Sequence, residues 1–158
     1  MIDLKATKRF FCSCFHHRFI CKALHIENIE ALYLLRFYIL DLSEQLKIRF
    51  IALKAKHKGV LKLYRAQKLT DDKVAHFQNS LGNLIYTSAY FSTTSEYAVA
   101  YTFATKPAKR DGIVRVLFEY QVDLNTVQHI ALADVREYSA FPEEAEVVVD
   151  IGKRQSWI

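Results

Sequence analysis

The longest hydrophobic pattern in the chain runs from Ile26 to Lys56, where apolar residues recur every three or four positions. Apolar side chains at this spacing share one face of an α-helix, so the pattern predicts a single long helix over about 26–56. Between Ala31 and Leu40 the only charged residue is Arg36. We therefore expect this half of the helix to be buried on most sides.

Beyond Gly59 the pattern becomes that of a mixed chain. Short runs rich in β-branched and aromatic residues predict strands, and runs that begin with a hydroxyl or acidic residue predict helices. The fold class is therefore predicted to be α+β, with N-terminal helices followed by a mostly antiparallel sheet. The predicted elements are strands over 60–66, 84–91, 113–122, 130–132 and 144–149, helices over 70–81 and from Glu96 to near Pro107, and an edge strand over 155–158.

Composition limits the chain to one domain with an appended arm. Its 158 residues are 51% hydrophobic and 25% charged, with 4 Gly and 2 Pro, which suits a folded core and argues against collagen-like or low-complexity sequence. We predict an arm of unknown structure over 1–21 and one domain over 22–158. No apolar run approaches the roughly 20 residues of a membrane-spanning helix. No clear signal peptide is seen, so the cytoplasm is the default location.

The cysteine spacing and the net charge limit which cofactors and partners the chain is expected to bind. Cys12, Cys14 and Cys21 are odd in number, which does not fit a disulfide framework. With His16 and His17 they suggest zinc, but the C-x-C spacing is too short and no second pair follows, so we expect unpaired thiols and no metal. The net charge of +5 favours anionic ligands. The lysines around residues 54–62 are explained by a solvated helix end, and we expect no nucleic-acid partner.

Three places interrupt their local patterns. Arg65 ends an apolar strand face, Ser92 lies where a strand is expected to give way to a helix, and Glu144 and Glu146 follow a turn. Side chains two apart in a strand point the same way, so the two carboxylates would share a face about 7 Å apart. Such a pair is suited to acid–base and electrostatic roles. Taken singly, Arg65 is more typical of a surface charge, the hydroxyl run of a helix cap, and the glutamates of a solvated strand entry.

Taken in order, the three motifs are specific. Three stretches resemble the arginine–serine–glutamate mono-ADP-ribosyltransferases: residues 63–67 (Leu-Tyr-Arg-Ala-Gln), 90–94 (Tyr-Phe-Ser-Thr-Thr) with Val99, Ala100 and Phe103 following, and 141–147 (Phe-Pro-Glu-Glu-Ala-Glu-Val). This family includes animal arginine-specific enzymes and actin-modifying bacterial toxins, and the resemblance covers about residues 60–158. The chain departs from the family pattern at Ala66, where glycine is common, and in having Ser-Thr-Thr in place of Ser-Thr-Ser.

The resemblance implies that residues 60–158 form a two-sheet NAD-binding catalytic core. It also implies the activity of an NAD(P)–arginine ADP-ribosyltransferase. Such an enzyme moves ADP-ribose from NAD to a protein arginine, releases nicotinamide and needs no metal. Two alternatives stay open: an NAD glycohydrolase, in which water replaces arginine, and a non-catalytic module that binds NAD or a protein.

The resemblance also implies roles for individual residues. Three residues are implied to be catalytic. Glu146 contacts the nicotinamide ribose, Glu144 is the glutamate associated with arginine as acceptor, and Ser92 orients the catalytic glutamate. The residues implied to bind the dinucleotide are Arg65, Ala66, Thr93 and Phe103, and Phe103 would stack on nicotinamide. Phe141 would face the protein substrate.

Overall fold

Two helices open the described part of the chain, which in this computed structural model comprises residues 14–80, 84–86, 89–107, 112–127, 131–151 and 154–156. Helix α1 spans Cys14–His25 and helix α2 spans Ile29–Lys56. Asn28 caps α2, because its side-chain oxygen accepts a hydrogen bond from the Ala31 amide at 3.0 Å. The long helix predicted from the sequence is confirmed, with its start moved three residues along.

Helix α1 runs through residue 21, where the arm is expected to end. Its side chains Ile20 and Ala23 are only 1% and 4% exposed and belong to the buried interior. Residues 1–13 lie outside the described residues. The part of the arm from residue 14 onwards is thus helical, and α1 contributes to the same core as the domain that follows it.

Helix α2 has one buried face and one exposed apolar face. Leu42, Leu46, Phe50 and Leu53 are buried against the rest of the molecule. The expectation that residues 31–40 are buried on most sides is wrong, because one helix packed on one layer covers only one of its faces. We call the exposed apolar residues of α2 the outer stripe: Ile29, Tyr33, Leu34, Phe37, Leu40, Ile48 and Ile51.

The remaining elements build a five-stranded antiparallel sheet and a small two-stranded one. The large sheet has the order β4-β1-β3-β6-β5, and β2 pairs with β7. The predicted α+β class with mostly antiparallel strands is confirmed. The elements in chain order are β1 Val60–Thr70, α3 Asp71–Asn79, β2 Leu84–Tyr86, β3 Phe91–Thr94, α4 Tyr97–Thr105, β4 Ile113–Asp123, β5 Leu132–Asp134, β6 Glu146–Val149 and β7 Arg154–Ser156.

The single strand expected over 84–91 is wrong. That stretch is divided between β2 and β3, which lie in different sheets. The corner expected at Ser92 is also displaced, since Ser92 lies inside β3 and pairs with Val148 of β6. The hydroxyl run still helps to start helix α4, because Thr94 Oγ1 accepts a hydrogen bond from the Glu96 amide at 3.0 Å. Strand pairing has therefore moved the expected corner two residues along the chain.

Other boundaries shift by a few residues. Strand β1 is four residues longer than predicted, and β5 begins at Leu132 where a strand over 130–132 was expected. Helix α3 ends at Asn79, and residue 81, where it was predicted to end, lies outside the described residues. The edge strand expected over 155–158 is described over Arg154–Ser156.

A buried polar cluster ties α2 to the sheet. Ser43 Oγ donates a hydrogen bond to Asp150 Oδ1 at 3.0 Å and lies 2.9 Å from the Tyr90 hydroxyl, which also donates to the Ile39 carbonyl at 3.2 Å. Tyr90 and Asp150 are each 3% exposed. Because Tyr90 directly precedes β3 and Asp150 directly follows β6, the cluster fixes the ends of two sheet strands against the helix.

The described helices include none that is both long enough and apolar enough to cross a membrane.

The two faces of α2 predict unequal effects for the same substitution. Leu46 is completely buried and Leu34 is 78% exposed. We expect Leu46→Ala to lower the free energy of unfolding by about 2 to 5 kcal/mol, because it leaves a cavity. Leu34→Ala on the same helix should change it by about 0.5 kcal/mol or less. Urea denaturation of both variants in dilute solution tests this, and equal losses would contradict the assignment of the two faces.

Candidate active site

The large sheet opens between β1 and β3. Strand β1 pairs with β4 along its whole length, from Val60 to Thr70, but in the described chain it pairs with β3 only at Tyr64 and Thr94. Had the ladder continued in this register, Ala66 would lie opposite Ser92. The Arg65 side chain spans the opening instead, and its Nη1 donates a hydrogen bond to the Ser92 carbonyl.

Arg65 is held from several sides. With its amide oxygen turned towards Arg65, Gln67 accepts hydrogen bonds from Nε at 2.9 Å and Nη2 at 3.1 Å. The guanidinium carbon lies 5.6 Å from the centre of the Phe91 ring. Burial lowers the pKa of Arg65, but a guanidinium stays charged in a protein. Arg65 is thus a fixed positive charge with further donor positions available at the opening.

The thiol of Cys21 is a neighbour of this charge. Burial raises the pKa of Cys21 to about 11, although the Arg65 charge opposes the rise. The sulfur donates a weak hydrogen bond to the Tyr90 carbonyl at 3.4 Å. A thiol with this pKa is neutral and unreactive at neutral pH, so Cys21 serves packing.

The opening forms a cleft of about 220 Å³. Strands β1 and β3, helix α4 and the turn before β6 enclose it. Phe141 lies elsewhere, 53% exposed in the turn three residues before Glu144. The structure brings together the other seven residues singled out in the sequence, which are Arg65, Ala66, Ser92, Thr93, Phe103, Glu144 and Glu146.

The hydroxyl residues of β3 have different surroundings. Thr93 is 4% exposed, and its hydroxyl donates to the Val147 carbonyl at 2.7 Å, which joins β3 to β6. The Thr94 hydroxyl is bonded to the start of α4. Ser92 is half-buried at the wall of the cleft, where its carbonyl accepts from Arg65. Thr93 and Thr94 therefore place the strand, and Ser92 is the residue that Arg65 touches.

The two glutamates reach the cleft by a route that the sequence analysis did not foresee. Glu144 ends a 3₁₀ turn over Pro142–Glu144, and Glu146 begins β6. The expectation that both lie in one strand and share a face by alternation is wrong. Ala145 between them adopts the left-handed conformation (φ 47°, ψ 47°), which costs an alanine roughly 1–2 kcal/mol. This backbone reversal directs both carboxylates to the same cleft.

Burial and like charge act together on Glu144. Its pKa is raised above the ordinary range by desolvation first, and then by the charges of Glu146 and Glu143. Lys106 opposes this rise. The Lys106 ammonium lies 4.0 Å from the centre of the Phe103 ring, so it is held at the edge of the cleft by a cation–π contact.

Four lining residues were not among the predicted site residues. Tyr64, Thr94, Val99 and Ala100 complete the wall, and Tyr64 packs edge-on against Tyr97 with ring centres 5.4 Å apart. They lie within or beside the motifs quoted above, so adjacency was an available signal. Lys106 follows the end of α4, and no pattern in the sequence relates it to Glu144.

Within the part of the chain that the structure describes, no cluster of three or more His, Cys, Asp or Glu side chains is arranged to hold a metal ion.

Comparison with known proteins relates the fold to that of ADP-ribosyltransferases. No protein-family model and no curated protein matches the chain. Among solved structures it is similar to Vis toxin, an ADP-ribosyltransferase from Vibrio splendidus, with a TM-score of 0.60, 19% identity, and coverage of 95% of this chain and 62% of that one. Vis in complex with the M6 inhibitor gives a TM-score of 0.62 with the same identity and coverage.

Vis in complex with agmatine is also similar, with a TM-score of 0.51, 18% identity, and coverage of 95% of this chain and 58% of that one. The chain thus spans about three-fifths of the length of the structures it matches. Identity this low shows a shared fold. The ADP-ribosyltransferase fold that the motifs imply is confirmed at that level.

The electrostatics of the cleft predict opposite pKa changes in two variants. Glu146→Gln removes a like charge, so the pKa of Glu144 should fall, though not fully, because desolvation is the larger cause. Lys106→Ala removes a favourable cation, so the pKa of Glu144 should rise. Carboxyl ¹³C NMR titration measures both shifts, and Lys73→Ala on helix α3 serves as the matched control, expected to leave it unchanged. If the pKa of Glu144 were unchanged in both variants, these charges would not share the cleft.

Proposed function

We propose that this chain transfers ADP-ribose from NAD to an arginine side chain of a protein and releases nicotinamide. The observation that carries the proposal is the convergence of Arg65, Ser92, Glu144 and Glu146 on one cleft. They come from three separate stretches of the chain, and they are the residues of the three family motifs. A shared fold alone would not imply a shared chemistry, so the proposal depends on this site.

The size of the cleft suggests which part of NAD it holds. Pockets that enclose a whole small-molecule ligand measure roughly 300–1,000 Å³, and this cleft measures about 220 Å³. We therefore place the nicotinamide and its ribose inside, against Phe103, and the pyrophosphate outside, near Arg65. A guanidinium presents donors in a planar fork that suits phosphate oxygens.

Cleavage of NAD requires stabilisation of a positive charge. As the bond between ribose C1 and the nicotinamide nitrogen breaks, its electron pair leaves with nicotinamide, and positive charge develops on C1 and the ring oxygen. A carboxylate beneath the ring stabilises this oxocarbenium character, and we assign that role to Glu146. Nicotinamide departs as a neutral molecule and needs no general acid.

The acceptor completes the reaction. A guanidinium nitrogen attacks C1, a C–N bond forms, and one proton is lost from the guanidinium. Glu144 is placed to hold the cationic acceptor and to take that proton. Its raised pKa makes it a better base than an ordinary glutamate, as its conjugate acid holds the proton more tightly. Agmatine carries a guanidinium group, and its complex with Vis supports this choice of acceptor.

Label transfer tests the proposal. The chain is incubated with NAD labelled in its adenylate part, with agmatine or polyarginine as acceptor. Label should appear on the acceptor and fall on the order of a thousandfold in Glu146→Gln, which removes the charge under the ribose. Glu137→Gln is the matched control, because this exposed glutamate does not line the cleft and should retain transfer. Circular dichroism must show that each variant folds.

Glu144→Gln should separate the two halves of the reaction. Arginine labelling is expected to fall about a hundredfold, since the acceptor-side base is lost, whereas release of free ADP-ribose should persist. Equal loss of both activities would remove Glu144 from the acceptor side. Free ADP-ribose from the unmodified chain without labelled acceptor would indicate a glycohydrolase. The absence of nicotinamide release would indicate a non-catalytic module.

Arg65→Lys should weaken NAD binding by about tenfold to a hundredfold, because an ammonium cannot bond Ser92, Gln67 and a phosphate together. Isothermal titration calorimetry measures the change. Arg115→Lys is the matched control, since Arg115 bonds the Thr105 carbonyl at 3.2 Å outside the cleft. An unchanged NAD affinity in Arg65→Lys would exclude Arg65 from the binding site.

A further inference from the structure

The outer stripe of α2 is too large an apolar surface to be explained by chance exposure. Five of its side chains, at Ile29, Leu34, Phe37, Leu40 and Ile51, are each between 66% and 81% exposed. A fully exposed aromatic side chain presents roughly 150–250 Å². The stripe as a whole therefore presents on the order of 1,000 Å², whereas apolar patches on monomeric proteins rarely exceed a few hundred.

We propose that the outer stripe is the interface of a symmetric dimer, in which α2 of one copy packs antiparallel against α2 of a second copy. A standard interface buries about 800 Å² on each partner, and the stripe is of that size. At about 1.5 Å per residue, the 28 residues of α2 extend for about 42 Å. This length accommodates several turns of side-by-side contact.

The order of residues along α2 matches itself when the helix is reversed. With the twofold axis between residues 38 and 39, Phe37 lies level with Leu40 of the second copy, and Ile29 lies level with Ile48. An isologous interface requires this kind of self-complementary pattern. In it, a residue at a given distance on one side of the axis meets the residue at the same distance on the other side, from the second copy. Apolar groups therefore meet apolar groups at these two levels, and Tyr33 lies level with Glu44.

The charges of α2 favour the antiparallel orientation. About the same axis, Glu30 is level with Lys47 of the second copy, so opposite charges meet there. Lys47 also pairs with Glu44 of its own helix at 3.2 Å. A parallel pair would bring each of these residues level with its own copy and set like charges together. Like-charge contacts of this kind select against the wrong orientation.

Arg36 is held against the aromatic residues of the outer stripe. Its guanidinium carbon lies 4.0 Å from the centre of the Tyr33 ring and 4.3 Å from that of Phe37, and Nη1 donates to the Tyr33 carbonyl. The charge therefore lies along the outer stripe and is not extended into solvent. Aromatic residues and arginine commonly dominate the binding energy of interfaces, and less side-chain freedom is lost when the arginine is held in advance.

Sedimentation velocity of the full chain tests the dimer. The wild-type chain should sediment as a species of twice the monomer mass of 18.4 kDa, and this dimer should dissociate on dilution. Phe37→Glu should raise the dimer dissociation constant more than about a hundredfold, because two unpaired carboxylates would be buried beside the axis. Tyr101→Glu is the matched control, since Tyr101 is 53% exposed on α4 and should leave the dimer unchanged.

A charge exchange identifies the partner and the orientation. Glu30→Lys should weaken the dimer on the order of fivefold by setting like charges together at two symmetric places. The double variant Glu30→Lys with Lys47→Glu should dimerise more tightly than Lys47→Glu alone, because both lose the Lys47–Glu44 ion pair and only the double variant sets opposite charges together between the copies. A wild-type chain that stays monomeric, a dimer that survives Phe37→Glu, or a double variant that dimerises more weakly than Lys47→Glu alone would each overturn the proposal. A monomer would mean that a different partner or segment covers the stripe.

Discussion

The architecture of the candidate site depends on one interrupted strand contact. Strands β1 and β3 belong to the same sheet, but in the described chain their backbones pair only at Tyr64 and Thr94. Beyond that pair the Arg65 guanidinium bonds the Ser92 carbonyl and spans the gap. Since β1 is paired along its whole length with β4, and β3 is paired with β6, each wall is stabilised from behind. The opening therefore persists as a cleft while both walls remain sheet.

The chemistry of the cleft depends on a local irregularity beside it. Ala145 is buried in the left-handed conformation, between a 3₁₀ turn and β6. Strain of this kind persists only where the surrounding structure holds it, and it is common at functional sites. Here it accompanies two carboxylates directed into one partly desolvated space, with Lys106 nearby as a counter-charge. The raised pKa of Glu144 is the electrostatic consequence of that arrangement.

Helix α2 serves the site through one face only. Ser43 on its inner face meets Tyr90 and Asp150, and these two residues adjoin the strands that carry Ser92 and Glu146. The buried hydrogen bonds thereby couple the helix to the site walls. The opposite face takes no part in this support, and its apolar surface is the basis of the proposed dimer.

The sequence alone determined the elements whose signal is local. The repeat over 26–56, the alternation over 113–122 and the three motifs predicted helix α2, strand β4 and the membership of the cleft. Only the tertiary structure decided that residues 84–91 divide between two sheets, that Ser92 lies within a strand, and that a turn brings Glu144 beside Glu146. These outcomes depend on pairing with β6 and on backbone reversal at Ala145, which involve partners distant in sequence. Which face of α2 is buried was likewise unpredictable. An apolar pattern shows which faces of a helix can be buried, and only the neighbouring elements determine which face is covered.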